Sequence, residues 1–386
     1  MAFNLGLTSA GLEAYHRVLA SSVERRFRVQ VTDLDQLPID NITDRVLDGE
    51  VTIDWSGEEA TRGLSLALLD DDYSLGFDNA DGGSGIWFMD RMIQVHAETY
   101  VPEIGRTVEC PIFTGPIRKF KRTGDIVTLD GVGKDVFARK AWPRLVIPKG
   151  TLVLDAIQYV LEQLGEAFFK IDVDSTARFA GQQIVDRNLT ASPFGWCRMQ
   201  AAAIGVRLYY DGAGYVRMRW DRPDQPEFTF SDGDDGMVLS DPQPEGDFTE
   251  MANVVRAEGP NRNGVNPYYE AFVDESSPLH PSNLIRNGKP VYFGAVVQQD
   301  SISDNKKARS VAEAELRRRQ FVATSVAFDA LPLYSLEEND IARVIVDDFA
   351  TTFSASKFKF GFSAGAVMPV GYSKAISPKL SRIRRI

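Results

Sequence analysis

Ser363 lies in GFSAG (361–365), the G-x-S-x-G spacing that lifts a serine hydroxyl out of a strand-to-helix turn in a nucleophile elbow. Attack by that hydroxyl needs a histidine base within hydrogen-bond reach, and elbow enzymes place it later in the chain. The histidines are His16, His96 and His280, all ahead of Ser363, and the Ser/Ala/Gly/Phe surroundings offer no helix start. The match therefore reads as a glycine-rich strand region. Ser354 and Lys357 fit S-x-x-K without the companion motifs of penicillin-recognising enzymes. SDGDDG (231–236) has the composition of a calcium loop, but its glycine comes too early for an EF-hand and no Glu closes it, so it reads as an acidic turn. GVGKDV (131–136) opens like a dinucleotide fingerprint, lacks the third glycine and follows a strand of antiparallel character. Cys110 and Cys197 are far apart and no C-x-x-C is present, which favours two buried free thiols in a chain made in a reducing compartment. His96 sits at the opposite phase of a strand from Ile93 and Val95, as a surface or interface residue would. The scattered acids could supply a glycosidase-type pair, but nothing in the sequence pairs them. The expectation is a protein that is not an enzyme and holds no cofactor or metal.

The elements that would have to position any such site have mostly a two-residue period. A helix from Ser9 to Ala20 opens the chain, with Leu12, Tyr15, Val18 and Leu19 on one stripe and Ser9 as its cap. Alternation follows at Phe27/Val29/Val31, Val51/Ile53/Trp55, Leu64/Leu66/Leu68 and Ile93/Val95/Ala97, then a hairpin turning at Gly124–Asp125. Half-buried strands of this kind pair antiparallel in a sandwich or barrel. The Asp70–Gly85 loop is longer than a tight hairpin needs.

Beyond Pro143 and Pro148 the character changes. Thr151–Leu164 carries a helical stripe of Leu154, Ile157, Val160, Leu161 and Leu164 ended by Gly165. A second helix starts at Ser192–Pro193 and places Trp196, Met199 and Ala203 on one face. Val206/Leu208/Tyr210 and Val216/Met218/Trp220 form a hairpin around Asp211–Gly212. Segment 221–247 reads as a linker or loop system. A third region holds strands, a charged helix over 303–320 with a stripe of Ala308, Val311, Ala312 and Leu316, further strands, and a Phe-rich tail that a partner could order.

The length of 386 residues exceeds one hydrophobic core, so two or three domains are expected. Hydrophobic residues make up 44% and charged residues 25%, the balance of an ordinary folded protein. No apolar run is long enough for membrane insertion, and the N-terminus lacks the pattern of a secretory signal. The net charge is −11, with ten acids and one Arg over 221–250, while Lys379, Arg382, Arg384 and Arg385 give the C-terminus the opposite sign. An acidic chain does not grip phosphates, though it can let DNA pass without specific binding.

The order of features over 22–140 resembles a particular family. ITDRVLDGEVTIDWSGEEATRGLSLALLDDD, MIQVHAETYV and CPIFTGPIRKFKRTGDIVTLDGVGKD are similar to the N-terminal domain of the tail-hub (baseplate hub) proteins of siphophages, often labelled minor tail proteins in phages of actinobacteria. Arg62, Leu64, Leu66, Leu68, Asp70, Phe113, Gly115, Ile117 and Asp130 stand in the corresponding places. SPFGWCRMQAAAIGVRLYYDGAGYVRMRW looks like the family's helix and L-Y-x-D-x-x-G hairpin, and ANVVRAEGPN like its N-x-V-x-V-x-G strand. The usual Gly-Asp turn appears as Asn339–Asp340, and the resemblance spans about 22–346.

That resemblance implies a β-rich α+β fold, with two tail-tube-like antiparallel β-barrel or sandwich domains flanking an α+β insertion domain. The expected boundaries are an N-terminal helical arm (1–21), a first tube-like domain (22–145), the insertion domain with its acidic loop (146–247) and a second tube-like domain with a C-terminal extension (248–386). It implies a homotrimer in the virion tail tip, made in the host bacterial cytoplasm. Its six barrels would form a ring beneath the distal tail or tail-tube ring proteins and above a central spike or fibre. The channel would hold the tape-measure protein and later the transiting DNA. Asp232, Asp234, Asp235, Asp241 and Glu245 are the candidate lumen or surface segment, and Phe349, Phe353, Phe358, Phe360 and Phe362 the candidate assembly segment. Two alternatives are kept. One is a receptor- or carbohydrate-binding fibre or adhesin using Trp55, Trp87, Trp142, Trp196 or Trp220, for which packing is the competing role. The other is a cell-wall hydrolase.

Overall fold

The computed structural model describes residues 5–21, 25–54, 62–72, 75, 91–140, 144–186, 192–220, 226–233, 236–247, 251–260, 266–298, 302, 304–319, 323–338, 340–363 and 365–374. Contacts divide the chain into one unit of Met1–Gln243 with Val326–Lys379 and another of Pro244–Ser325 with Leu380–Ile386.

The first unit opens with helix α1 (Ser9–Ala20), which buries Ala14, Tyr15, Val18 and Leu19. Its cap is Thr8 rather than Ser9: the Thr8 hydroxyl accepts from Gly11 N at 3.2 Å. Strands β1 (Arg26–Asp33), β2 (Pro38–Asn41), β3 (Val46–Asp54), β4 (Arg62–Leu69), β5 (Arg91–Val101), β6 (Arg106–Thr123) and β7 (Ile126–Val132) follow. They pair antiparallel in the order β3-β4-β7-β6-β5-β1-β2. The expected alternation holds, with Leu64, Leu66 and Leu68 inward on β4, Val51 and Ile53 on β3, and Val95 and Ala97 on β5. β6 serves two neighbours. Its first part pairs with β5 as far as Pro116, and from Ile117 it pairs with β7, the register slipping between Ile117 and Lys119. Gly115 permits the bend, since a Cβ there would sit 1.9 Å from Val132 O.

An α+β block comes next: α2 (Asp135–Lys140), β8 (Arg144–Ile147), α3 (Val153–Gln163), β9 (Phe169–Asp172), β10 (Gln183–Asp186), α4 (Pro193–Ala203), β11 (Val206–Tyr210) and β12 (Val216–Trp220). Ser192 caps α4 by accepting from Gly195 N, as its sequence signal predicts. The buried face of α4 is Phe194, Cys197 and Ala201, not the Met199 side, which is exposed. β12 pairs antiparallel with β11 and parallel with β9, and α3 and α4 cover this small sheet in a separate core. That core includes Ala138, so the block takes in α2 rather than beginning at 146.

The remaining strands of this unit are β13 (Phe228–Ser231), β20 (Ala323–Ala330), β21 (Ile341–Val346), β22 (Phe349–Ser354), β23 (Lys357–Gly361) and β24 (Met368–Lys374). β14 (Gln243–Asp247) begins at the boundary with the second unit. Segment 221–247 is thus more than a linker, because Phe230 and Met237 are buried among Val326, Phe328, Val344 and Phe353. β23 lies against β3, with Phe358 opposite Ile53 and Phe360 opposite Val51, so the late strands extend the first sheet. One hydrophobic core runs through both strand groups. The expected 248–386 domain is accordingly redrawn: β20, β23 and β24 join the first sheet, β21 and β22 form a small sheet with β13 on the same core, and most of 244–325 stands as its own unit. Alternation fixed which face each strand buries, but not which sheet edge it would join.

The second unit centres on β15 (Val254–Glu258), flanked by antiparallel β16 (Tyr268–Phe272) and parallel β19 (Gly294–Gln298). β17 (Ile285–Arg286) and β18 (Lys289–Pro290) make a minimal hairpin. α5 (Asn305–Arg319) covers one face, its Ala308, Ala312 and Leu316 buried with Val255, Ala257 and Ala271, the stripe its sequence predicts.

Candidate functional site

The sequence motifs do not converge. Ser363 is exposed between β23 and β24. Lys357 pairs across strands with Asp54 at 3.3 Å. His280 Nδ1 lies 2.6 Å from Ser282 Oγ and accepts Ser282 N at 3.2 Å, a bond internal to one turn. Burial, followed by Arg28 nearby, pushes His96 down to about 4. In the GVGKDV run, Gly131 and Gly133 allow close packing, and Lys134 is buried in an ion pair with Glu166 at 2.8 Å. Cys110 and Cys197 are buried and unbridged. Burial raises both thiols, which makes them inert.

Asp232 and Asp241 are exposed, Glu245 lies on β14, and Asp234 and Asp235 fall outside the described residues. Among the described residues, no group of three or more His, Cys, Asp or Glu is disposed to hold a metal ion. Phe353, Phe358 and Phe360 are core residues, and Phe362 stacks on Phe27 at 4.3 Å. Their expected ordering by a neighbouring subunit is corrected: the chain's own core orders them. Phe349 stays half-buried. Trp196 stacks on Phe179 and Trp220 is half-buried, while Trp55, Trp87 and Trp142 lie outside the described residues.

The densest constellation is one that sequence reasoning missed. Arg62 opens β4 in phase with Leu64, Leu66 and Leu68, so its side chain points inward and is only 3% exposed. There it pairs with Glu337, itself 2% exposed, and donates from Nη1 to Ile112 O at 2.9 Å. Glu337 Oε1 accepts Gly212 N at 3.3 Å from the tip of the β11–β12 hairpin. Gly212 is required by the fit, because a Cβ would sit 2.2 Å from Pro111 O on β6. Thr114 Oγ1 donates to Gly212 O at 2.9 Å. Asp211 shapes the tip by accepting from Ala213 N and Tyr215 N, and pairs with Arg217 at 3.2 Å. Asp340 accepts Glu337 N at 2.9 Å and pairs with Arg219, which also reaches Glu227 at 3.1 Å. Three parts of the first unit thus meet at one buried ionic junction: the first strand group, the hairpin of the α+β block and the 333–340 connection.

The electrostatics follow from burial. Taking charged groups out of water costs several kcal/mol each unless they are paired and hydrogen-bonded. Burial pushes the Glu337 carboxyl up to about 8, opposed by Arg62 and reinforced by Asp211 and Asp340. Burial also raises Asp340 and Asp211. At Arg62 and Arg219 burial works against the charge, and the surrounding acids outweigh it, so both stay charged. Such an arrangement pins elements together. Two signals were available in the sequence. Arg62 has the inward parity of a leucine strand, and Glu337, Glu338 and Asp340 are embedded with Leu333, Tyr334 and Leu336.

No family model matches the chain, and no curated protein matches it in sequence. Solved structures do match in fold. A tail protein from Neisseria meningitidis MC58 aligns with TM-score 0.60 at 13% identity over 91% of this chain and 97% of its own. The 43 kDa tail protein of prophage MuSo2 from Shewanella oneidensis gives 0.61 at 10% identity over 92% and 99%. The prophage tail protein gp18 from Listeria monocytogenes EGD-e gives 0.53 at 9% over 91% and 95%. The chain has the fold of phage tail proteins.

Proposed function

We propose that this chain is a structural subunit of a phage tail tip, the hub of a siphophage-type tail, and not an enzyme. The observation that carries the reading is fold similarity to two bacterial-genome tail proteins over more than nine tenths of both chains. In this reading the strand groups β1–β7 and β13 with β20–β24 correspond to two tube-like barrels, and the α+β block to the insertion between them. Three copies then form a ring that presents six barrels to the distal tail or tail-tube ring and seats a central spike or fibre below. The net charge of −11 suits a channel through which the tape-measure protein and DNA move without sticking. The buried ionic junction suits a part that must keep its two barrels at a fixed mutual angle under load.

Mass measurement and negative-stain imaging of the purified protein test the ring. A threefold particle with a central hole is expected; a particle of another symmetry, or a solid one, overturns it. A second reading, a receptor- or carbohydrate-binding tail subunit, draws on Tyr268, Phe272 and Tyr292, which are exposed on the second unit. Binding to host cell-wall polysaccharide that is lost in Tyr268→Ala and Tyr292→Ala favours that reading. A zymogram on bacterial cell walls, expected to be blank, tests the absence of hydrolase activity.

A further inference from the structure

Two exposed surfaces of the first sheet carry opposite charge. The β1–β2 hairpin lies at the sheet's edge, and over 29–44 it holds Asp33, Asp35, Asp40 and Asp44 and no Lys or Arg. Around these acids Leu34, Leu37 and Ile39 are exposed, Leu37 by 62%. Asp35 and Asp40 have no cationic partner among the described residues. The edge is short, carries Pro38 and has an irregular register between Val31 and Thr32, features that discourage strand addition. A side-chain contact is therefore the use left to it.

The β6–β7 hairpin has the reverse character. Over 117–130 Arg118, Lys119, Lys121 and Arg122 stand against Asp125 and Asp130. Register places Lys121 opposite Thr128 and Ile126 opposite Leu69, so the outward face combines exposed lysines with exposed Ile126 and Leu69. Lys119 and Lys121 make no ion pair among the described residues. Arg122 is held by Asp70.

We propose that the acidic, leucine-bearing tip at 33–40 of one copy docks on the lysine-bearing β6–β7 face of a second copy. The contact joins two different patches, so it is head-to-tail and able to close into a ring. Exposed Leu37 and Ile39 give it apolar area to bury, and the opposed charges set its register and partner choice. It deepens the ring reading above and rests on that reading only for threefold closure.

Charge reversal on the full chain tests it. Self-association is followed by sedimentation velocity at low and high salt for the parent, for Asp35→Lys with Asp40→Lys, for Lys119→Glu with Lys121→Glu, and for all four changes combined. These side chains are exposed, so folding should be unaffected, and circular dichroism checks this. The parent should associate, more weakly at high salt. Each pair of reversals should weaken association by more than about tenfold, and the four changes together should bring it back to within about threefold of the parent. Mixing the two paired variants should also restore association. A parent that stays monomeric at low salt, or reversals without effect, overturns the contact. Rings that persist in the reversed variants leave the hub reading intact while removing this contact. Charge-dependent association into dimers or open chains keeps the contact and removes the threefold ring.

Discussion

Replacing Arg62 by Met removes the countercharge of Glu337 and the donor to Ile112 O while keeping much of the side-chain volume. Glu337 then retains Gly212 N, at 3.3 Å, as a weak donor. Breaking a sealed ion pair from one side typically costs about 3–5 kcal/mol, because the remaining charge is left in a dry interior. Here the stranded group has an escape. Burial pushes Glu337 up to about 8 even with Arg62 lowering it, so loss of the guanidinium raises it further and the carboxyl keeps its proton at neutral pH and above. The cost should therefore be smallest near pH 6 and grow by up to about 1.4 kcal/mol for each pH unit above the carboxyl's shifted value. Changing both partners to Met removes both charges and should recover most of the loss, ending within about 2 kcal/mol of the parent. Urea unfolding of the parent, the single variants and the double variant, at several pH values, gives the cycle. An Arg62→Met loss below about 1 kcal/mol at every pH, or a double variant as unstable as the sum of its parts, would refute the claim of a sealed junction.

The parent's own pH dependence provides a second check. A carboxyl raised from 4.5 to about 8 binds its proton more tightly folded than unfolded, so the stability it contributes is full below 4.5 and is lost as pH rises through about 8. Urea midpoints should decline across that window, and Glu337→Gln should flatten the decline. Gly212→Ala drives a Cβ into the Pro111 carbonyl and should cost about 1–3 kcal/mol, with hydrogen exchange faster at the β11–β12 tip than elsewhere. Phe360→Ala empties a core position shared by both strand groups and should cost about 3–5 kcal/mol in thermal or urea unfolding. A shift in oligomeric state without loss of stability would return Phe360 to an interface.

Much of the local structure was legible because local structure depends on near neighbours. The Leu64/Leu66/Leu68 alternation, the Ser192 cap with Gly205 beyond α4, the Asp211–Gly212 turn and the α5 stripe each encode their element within a few residues. Parity also marked Arg62 as inward-facing. It named no partner, and the one it has lies 275 residues away.

The sequence by itself determined where most strands and helices lie, which face the alternating strands bury, and that its chemistry-bearing motifs are incomplete. Tertiary structure alone decided that β23 lies against β3, that Phe353, Phe358 and Phe360 serve the chain's own core, and that residues 244–325 separate from the strands on either side of them. The reason is that periodicity specifies an apolar face but not the surface that covers it. Several faces in a long β-rich chain have similar apolar patterns, and the choice among them depends on shape, register and burial of charge once the whole unit has packed.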